Sequence, residues 1–320
     1  THQIYDRTTA KQRDMPTFMR RHPRLAAALA LAVLSAVWGY NWVVSKRALE
    51  YAGALDFAAL RTLLAALSLF AVLALLRRPL ALKDVRGATV LGLLQTTGFI
   101  SLTLLALTHG GAGRTAVLVY TMPAWVILFA RLVLHERVSA NQRAALTLAL
   151  LGLALMFGLL PQGAALVSML LALAAGGLWA AATLYAKRLQ NRRDADVLAL
   201  TAWQMLLGGI PLAVLALVWP GPAIQWSPYF AFALLYNALL GGALAWTLWL
   251  FALARLPAGV ASLGTLATPA IGVLSAWLEL GEMPTAGEAA GMLLIGAALA
   301  LVSWQAIRAH RRISPAAAQE

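Results

Sequence analysis

Residues 106–136 read ALTHGGAGRTAVLVYTMPAWVILFARLVLHE, and residues 252–282 read ALARLPAGVASLGTLATPAIGVLSAWLELGE. The two stretches align without a gap at a constant offset of 146 residues. They match at Ala106/Ala252, Leu107/Leu253, Ala112/Ala258, Gly113/Gly259, Pro123/Pro269, Ala124/Ala270, Leu132/Leu278 and Glu136/Glu282. Alanine-rich helices can match by accident; a Gly, a Pro and a Glu held at the same spacing in two helix pairs are harder to dismiss. An earlier block fits at an offset of 141, Trp38 and Lys46 against Trp179 and Lys187. The change of offset falls in loops, which tolerate insertions. The chain is read as a duplication, and the rest of the sequence is organised by it.

What is duplicated is a set of membrane spans. The hydrophobic fraction is 61% and the charged fraction 12%, against about 45–50% and about 25% in soluble domains. So few charges cannot cover that much apolar surface in water, which excludes a soluble globular protein. Crossing a bilayer takes about 20 apolar residues of helix. Ten segments qualify, at 25–45, 56–76, 87–107, 112–133, 143–161, 166–186, 196–219, 230–254, 258–279 and 286–306. Breakers or charges separate them: Arg77-Arg78-Pro79, Gly110-Gly111, Pro161-Gln162-Gly163, Gln190-Asn191-Arg192-Arg193 and Pro220-Gly221-Pro222. Alternating β-barrel segments are lacking, so an all-α membrane protein is expected. The first span exceeds the 7–15 apolar residues of a signal peptide and is kept as a helix.

The net charge of +13 is spread between the spans rather than gathered into a patch, which argues against nucleic acid and for a topology signal. With the N-terminus in the cytoplasm, twenty Lys and Arg fall on the cytoplasmic side. Only Lys46, Arg47 and Arg114 fall outside, while Arg61 and Arg131 lie within spans. Both termini are then cytoplasmic. Five spans per copy is an odd number, so the second copy must be upside down relative to the first. Glu136 accordingly falls inside and Glu282 outside. The domain plan is a tail (1–24), a first repeat (25–161), an inverted second repeat (162–306) and a second tail (307–320). Inverted repeats are the architecture of alternating-access carriers and put the solute site near the midplane, between the halves.

Trp38-Gly39-Tyr40-Asn41-Trp42 followed by Lys46 resembles the first-helix signature of the drug/metabolite transporter superfamily, EamA type. The doubled run Ala106-Leu107 … Pro123 … Glu136 and Ala252-Leu253 … Pro269 … Glu282 is similar to that family's core motif. The resemblance covers residues 25–305. It implies a ten-helix exporter with a central cavity lined by helices one, three, four, six, eight and nine, the fifth and tenth being peripheral.

Polar and bulky aromatic groups near mid-depth are the candidate substrate contacts. They are Trp38, Asn41 and Trp42 in the first span, Gln95, Thr96 and Phe99 in the third, and Tyr120 and Thr121 in the fourth. Trp179 follows in the sixth, Tyr236, Asn237, Trp246 and Trp249 in the eighth, and Thr268 in the ninth. Gln95 and Phe99 share a helix face at i, i+4 spacing. Pro123 and Pro269 read as mid-helix kinks that free the carbonyls of Val119 and Thr265, and with Gly39 they are candidate hinges. The bland alternatives are interface anchoring for the tryptophans, helix-to-helix bonding for Gln95, Asn41 and Asn237, and back-bonding for the threonines. Arg61 and Arg131 lie close enough to span ends to snorkel. Gly287 and Gly291 read as close helix packing or a dimer seam.

All twelve Asp and Glu and all five His avoid mid-depth, where coupled carriers usually keep a relay or ligand. Gly-x-x-x-x-Gly-Lys, His-Glu-x-x-His and Gly-x-Ser-x-Gly are all missing, and there is no cysteine. The expectation is a carrier without cofactor or metal, a monomer or homodimer in membrane lipid, placed in a bacterial inner membrane. It would export a small-molecule substrate by facilitated diffusion. Amino acids, aromatic ones first, suit its aromatic, Asn, Gln and Thr side chains. A multidrug or lipid-linked-sugar exporter, a channel and a membrane-embedded enzyme are the alternatives.

Overall fold

The computed structural model describes residues 23–82, 84–133, 140–157, 163–191, 196–256, 261, 265 and 267–313. Among these residues all regular structure is helical. The helices are α1 (Pro23–Ala48), α2 (Ala54–Leu75), α3 (Val85–His109), α4 (Ala112–Val119), α5 (Met122–Val133) and α6 (Ala140–Phe157). They continue with α7 (Ala164–Asn191), α8 (Val197–Val218), α9 (Pro228–Arg255), α10 (Ala267–Leu280) and α11 (Ala286–Ile313). Most of both tails, together with Glu136, Arg137 and Gly259, lies outside the described residues.

Six helices (α1, α2, α3, α7, α8 and α9) are long and apolar enough to cross a membrane, and shorter apolar helices accompany them. Leu29, Leu67, Leu75, Leu217 and Leu293 stand exposed on the outer surface. A helix apolar on its outward as well as its inward face is stable only where lipid replaces water. Loop residues set the helix starts. Asp84 accepts from the Gly87 N–H (2.8 Å), Asp196 from Leu198 (2.9 Å), and Ser227 from Phe230 with Pro228 at the first position. Thr285 and Glu288 form a reciprocal capping box ahead of α11.

Two features depart from uninterrupted spans. α3 and α9 each contain a π-helical stretch, Gly92–Gly98 and Tyr236–Leu244. The fourth span is broken at Tyr120–Thr121, and Pro123 lies in the first turn of α5. Pro269 likewise lies in the first turn of α10. The prolines are therefore not mid-helix kinks. Each sits where a helix begins and no N–H is needed, the position proline suits best. The expected free carbonyl of Val119 packs against Gly176, where an added side chain would collide with it.

Helices pair across the halves in a pattern unchanged by exchanging them. α2 packs on α8, α4 on α10 and α6 on α11. α1 packs on α9 and α10, as α7 packs on α3 and on α4 and α5. The ammonium of Lys46 donates to the carbonyls of Leu107 (2.6 Å) and Gly110 (2.8 Å) at the end of α3. The Lys187 ammonium donates to Leu253 (2.6 Å) and Leu256 (3.1 Å) at the end of α9. The same bond pair thus recurs at duplicated positions. Gly291 is covered by Gly152 of α6, and Gly287 faces Leu155 of the same helix. The small-residue pair is a contact within the chain, and α6 and α11 share a small core of their own around Ala145, Ala149 and Ala298.

Candidate functional site

Where α1, α3, α7 and α9 cross beside the α4–α5 break, the aromatic candidates meet. Trp38 lies edge-on to Trp179 (5.7 Å between ring centroids) and to Trp246 (4.7 Å). Trp179 touches Phe99 (5.4 Å), Tyr120 (5.2 Å) and Trp249 (5.7 Å). In the edge-to-face pairs Trp38–Trp179, Trp38–Trp246 and Tyr120–Trp179 one ring's positive rim meets its neighbour's negative face, which stabilises them beyond their area burial. The indole N–H of Trp38 donates to the Gly241 carbonyl (2.9 Å), while those of Trp179 and Trp249 have no partner among the described residues.

A cavity adjoins this cluster. Its lining includes the rings of Trp38, Phe99, Tyr120, Trp179 and Trp246 together with Asn41, Trp42, Ser45, Arg61 and Thr103. On α1 the lining positions Trp38, Asn41, Trp42 and Ser45 follow one helical stripe. The free space is about 50 Å³, room for little more than a water molecule and far below the roughly 300–1,000 Å³ of ligand pockets. The rings of Trp38, Phe99, Tyr120, Trp179 and Trp246 pack directly against one another.

Other candidates lie elsewhere. Gln95 and Thr96 turn to α8: Gln95 donates to the Gln204 side chain (3.1 Å), and Thr96 abuts Gly208. Gln95 and Phe99, expected to share one face, meet different partners: Gln95 bonds to α8 while Phe99 lines the cavity. Thr121 back-bonds to Leu118 (2.7 Å). Thr268 is fully buried, and its backbone carbonyl closely approaches Gly39, where any side chain would overlap Ile271. Gly39 is the crossing point of α1 and α10.

Tyr236 donates to the Val37 carbonyl (2.8 Å), and Asn237 accepts from the Ser45 hydroxyl (2.9 Å). With Trp38–Gly241 and the Arg47–Glu279 contact (3.8 Å), these bonds tie α1 to α9 and α10 in the half of the bundle that holds Lys46. That end also holds a wider polar depression of about 440 Å³, lined by Lys46, His109, Arg114, Glu282 and Glu288. Glu282 accepts from the Ala112 and Gly113 N–H groups (3.0 and 3.2 Å), a carboxylate on a helix start as the macrodipole favours.

Arg61 overturns its sequence reading. It does not snorkel: it is 8% exposed, packs 5.9 Å over the Phe57 ring and lines the cavity. Ser45 and Thr103 were also missed; the α1 stripe could have signalled Ser45, but nothing in the sequence turns α2 so that Arg61 faces inward. The side chains of Pro123 and Arg131 lie outside what is described. Among the described residues no cluster of His, Asp and Glu could hold a metal.

Both halves of the chain, residues 25–158 and 166–304, match the EamA-like transporter family. The chain belongs to that family. It is 28% identical over 273 residues to "Uncharacterized transporter YoaV" of Bacillus subtilis (strain 168), covering 83% of this chain and 93% of that one. It is 28% identical to the "Probable amino-acid metabolite efflux pump" of Salmonella typhimurium, over 85% and 92% of the two chains. A solved crystal structure superposes with a TM-score of 0.65 at 17% identity, over 89% of this chain and 99% of the other, a likeness of fold alone. This EamA-family protein is an integral membrane transporter and not an enzyme.

Proposed function

We propose that this transporter exports small metabolites, amino acids with aromatic ones favoured, by alternating access of two oppositely oriented five-helix repeats. Ten spans, cytoplasmic termini and a bacterial inner-membrane location complete the reading. The observation that carries it is the aromatic cavity at the crossing of helices from both halves. The exchange-invariant helix pairing and the twin lysine clamps support the repeat, as the family's two matched segments do. The Salmonella relative's name supports amino-acid metabolites.

The closed aromatic centre fits one station of such a cycle. The Ser45–Asn237, Trp38–Gly241, Tyr236–Val37 and Arg47–Glu279 contacts seal the end that the charge distribution makes external. Each bond is worth about 1 kcal/mol net, so parting all of them costs a few kcal/mol, the scale on which a solute shifts two populations. A facilitated carrier needs no more than that.

The chain has no cysteine, so a Ser45→Cys/Asn237→Cys pair can be bridged selectively by a short, reducible thiol cross-linker. Counterflow of L-phenylalanine in proteoliposomes is expected to fall at least tenfold on cross-linking and to return on reduction, with each single variant unaffected by the reagent. Unchanged flux through the bridged protein would show that these helices do not part. Flux of a nucleotide sugar but no amino acid would overturn the substrate assignment.

A further inference from the structure

We infer that Arg61 is the anchor for a substrate carboxylate, so that the cavity selects solutes with an aromatic or apolar body and one anionic carboxylate. This rests on reading the cavity as the solute site. Arg61 stands seven residues into α2, about 10 Å along the helix at 1.5 Å per residue, which places it well below the membrane surface. It is 8% exposed and lines the cavity beside Asn41, Ser45 and Thr103. Among the described residues its guanidinium has no hydrogen bond and no ion pair, and its one recorded partner is the Phe57 ring. The Asn41 side-chain oxygen and the Thr103 hydroxyl are likewise buried without partners.

A guanidinium stays charged at any ordinary pH, and a buried charge without a counterion is costly. Such an arrangement persists where something outside the fold supplies the missing charge. The planar fork of arginine matches a carboxylate with two parallel bonds. Charge balance sets the class more narrowly. Arg61 is the single charged side chain among those lining the cavity, so one negative charge neutralises it. A cationic drug without a carboxylate would add to the imbalance, whereas the ammonium of a zwitterion finds an unpartnered acceptor in the same lining, the Asn41 oxygen. Trp38, Phe99, Tyr120 and Trp179 line the same cavity as Arg61, so a carboxylate held on the guanidinium leaves an attached ring among aromatic side chains.

The test compares wild type with Arg61→Gln and Arg61→Lys, using L-phenylalanine, 3-phenylpropionate (no ammonium) and L-phenylalaninamide (no carboxylate). Both carboxylates are expected to raise the wild-type melting temperature in detergent, and the amide to leave it unchanged. Without ligand, Arg61→Gln is expected to melt no lower than wild type, because an uncompensated charge has been removed, and to lose the carboxylate-dependent shift. Its phenylalanine counterflow should fall tenfold or more, with Arg61→Lys intermediate because the charge remains and the fork does not. The inference is overturned if Arg61→Gln keeps the preference for carboxylate over amide, if it melts well below wild type, or if no carboxylate stabilises wild type. Stabilisation by the carboxylates without transport would uphold the anchor and sink the amino-acid export reading. Undiminished transport by Arg61→Gln would do the reverse.

Discussion

Two regions midway through the bundle place polar atoms deep among apolar side chains, and they handle them in opposite ways. In the seam between α3 and α8, Gln95 and Gln204 bond to each other, Thr97 donates to the Gly208 carbonyl (2.7 Å), and Gly92 and Gly208 bring the two backbones together. In the cavity lining, the Trp179 indole N–H, the Asn41 amide oxygen and the Thr103 hydroxyl lack partners, and a guanidinium has no counterion among the described residues. The seam is held by bonds between its own groups, with Gln95 Oε1 and Gln204 Nε2 left over; the cavity lining holds a charge that none of its own groups answers. Polarity at mid-depth therefore separates into groups that hold helices together and groups kept in reserve. What tells them apart is whether the side chain already bonds to the facing helix, as Gln95, Gln204 and Thr97 do and Arg61 does not.

On the seam side, the comparison breaks at Gly208, with loss of the folded protein as the readout. A leucine there would run into the Gly92 backbone and Thr96, and two rigid helix backbones have no side-chain slack with which to yield. Overpacking of this kind costs about 1–3 kcal/mol or more. Gly208→Leu should sharply reduce the yield of monodisperse protein in detergent size-exclusion chromatography. A variant that purifies and melts like wild type would show the seam to be loosely packed.

Trp179 probes the other region. It is 1% exposed and contacts five rings, Trp38, Phe99, Tyr120, Trp246 and Trp249. Trp179→Ala deletes the hub, with a stability loss of about 3–5 kcal/mol, and counterflow of L-phenylalanine is expected to drop by at least tenfold. Trp179→Phe keeps a ring face and should retain a measurable part of the flux. Equal flux through all three proteins would remove the aromatic cluster from the solute path.

These regions differ in how far the sequence exposes them. The all-helical membrane fold follows from composition and span length, and the two stretches that align within the chain fall one in each of the segments that match the family, 25–158 and 166–304. The lysines of the second repeat block bond in the same way at both positions. The aromatic half of the cavity is legible because large rings at mid-depth are conspicuous. Helix rotation is not legible. α2 is apolar nearly all round, so no stripe tells which way Arg61 faces. Gln95 and Phe99 stand four residues apart, yet one bonds to α8 and the other lines the cavity, a division of partners that spacing alone does not reveal. Proline similarly misleads: Pro123 suits the first turn of a helix as well as it suits a kink, and the Tyr120–Thr121 break decides between them only in three dimensions.

The smallest expected effect is the sharpest check on the division between seam and cavity. Replacing Gln95 alone by leucine strands the Gln204 amide, which already has one unpartnered atom. An orphaned buried group of that kind costs about 1–3 kcal/mol. Replacing both Gln95 and Gln204 by leucine removes the pair together and should come back close to wild-type stability, since matched apolar groups can take the place of a mutually bonded pair. Thermal melts of the two single variants and the double variant therefore form a cycle in which the double is milder than the sum. Phenylalanine counterflow through the double variant should stay within about twofold of wild type, because neither side chain reaches the cavity lining. A tenfold loss of flux in a double variant that melts normally would move Gln95 back among the substrate contacts and make the seam part of the transport path.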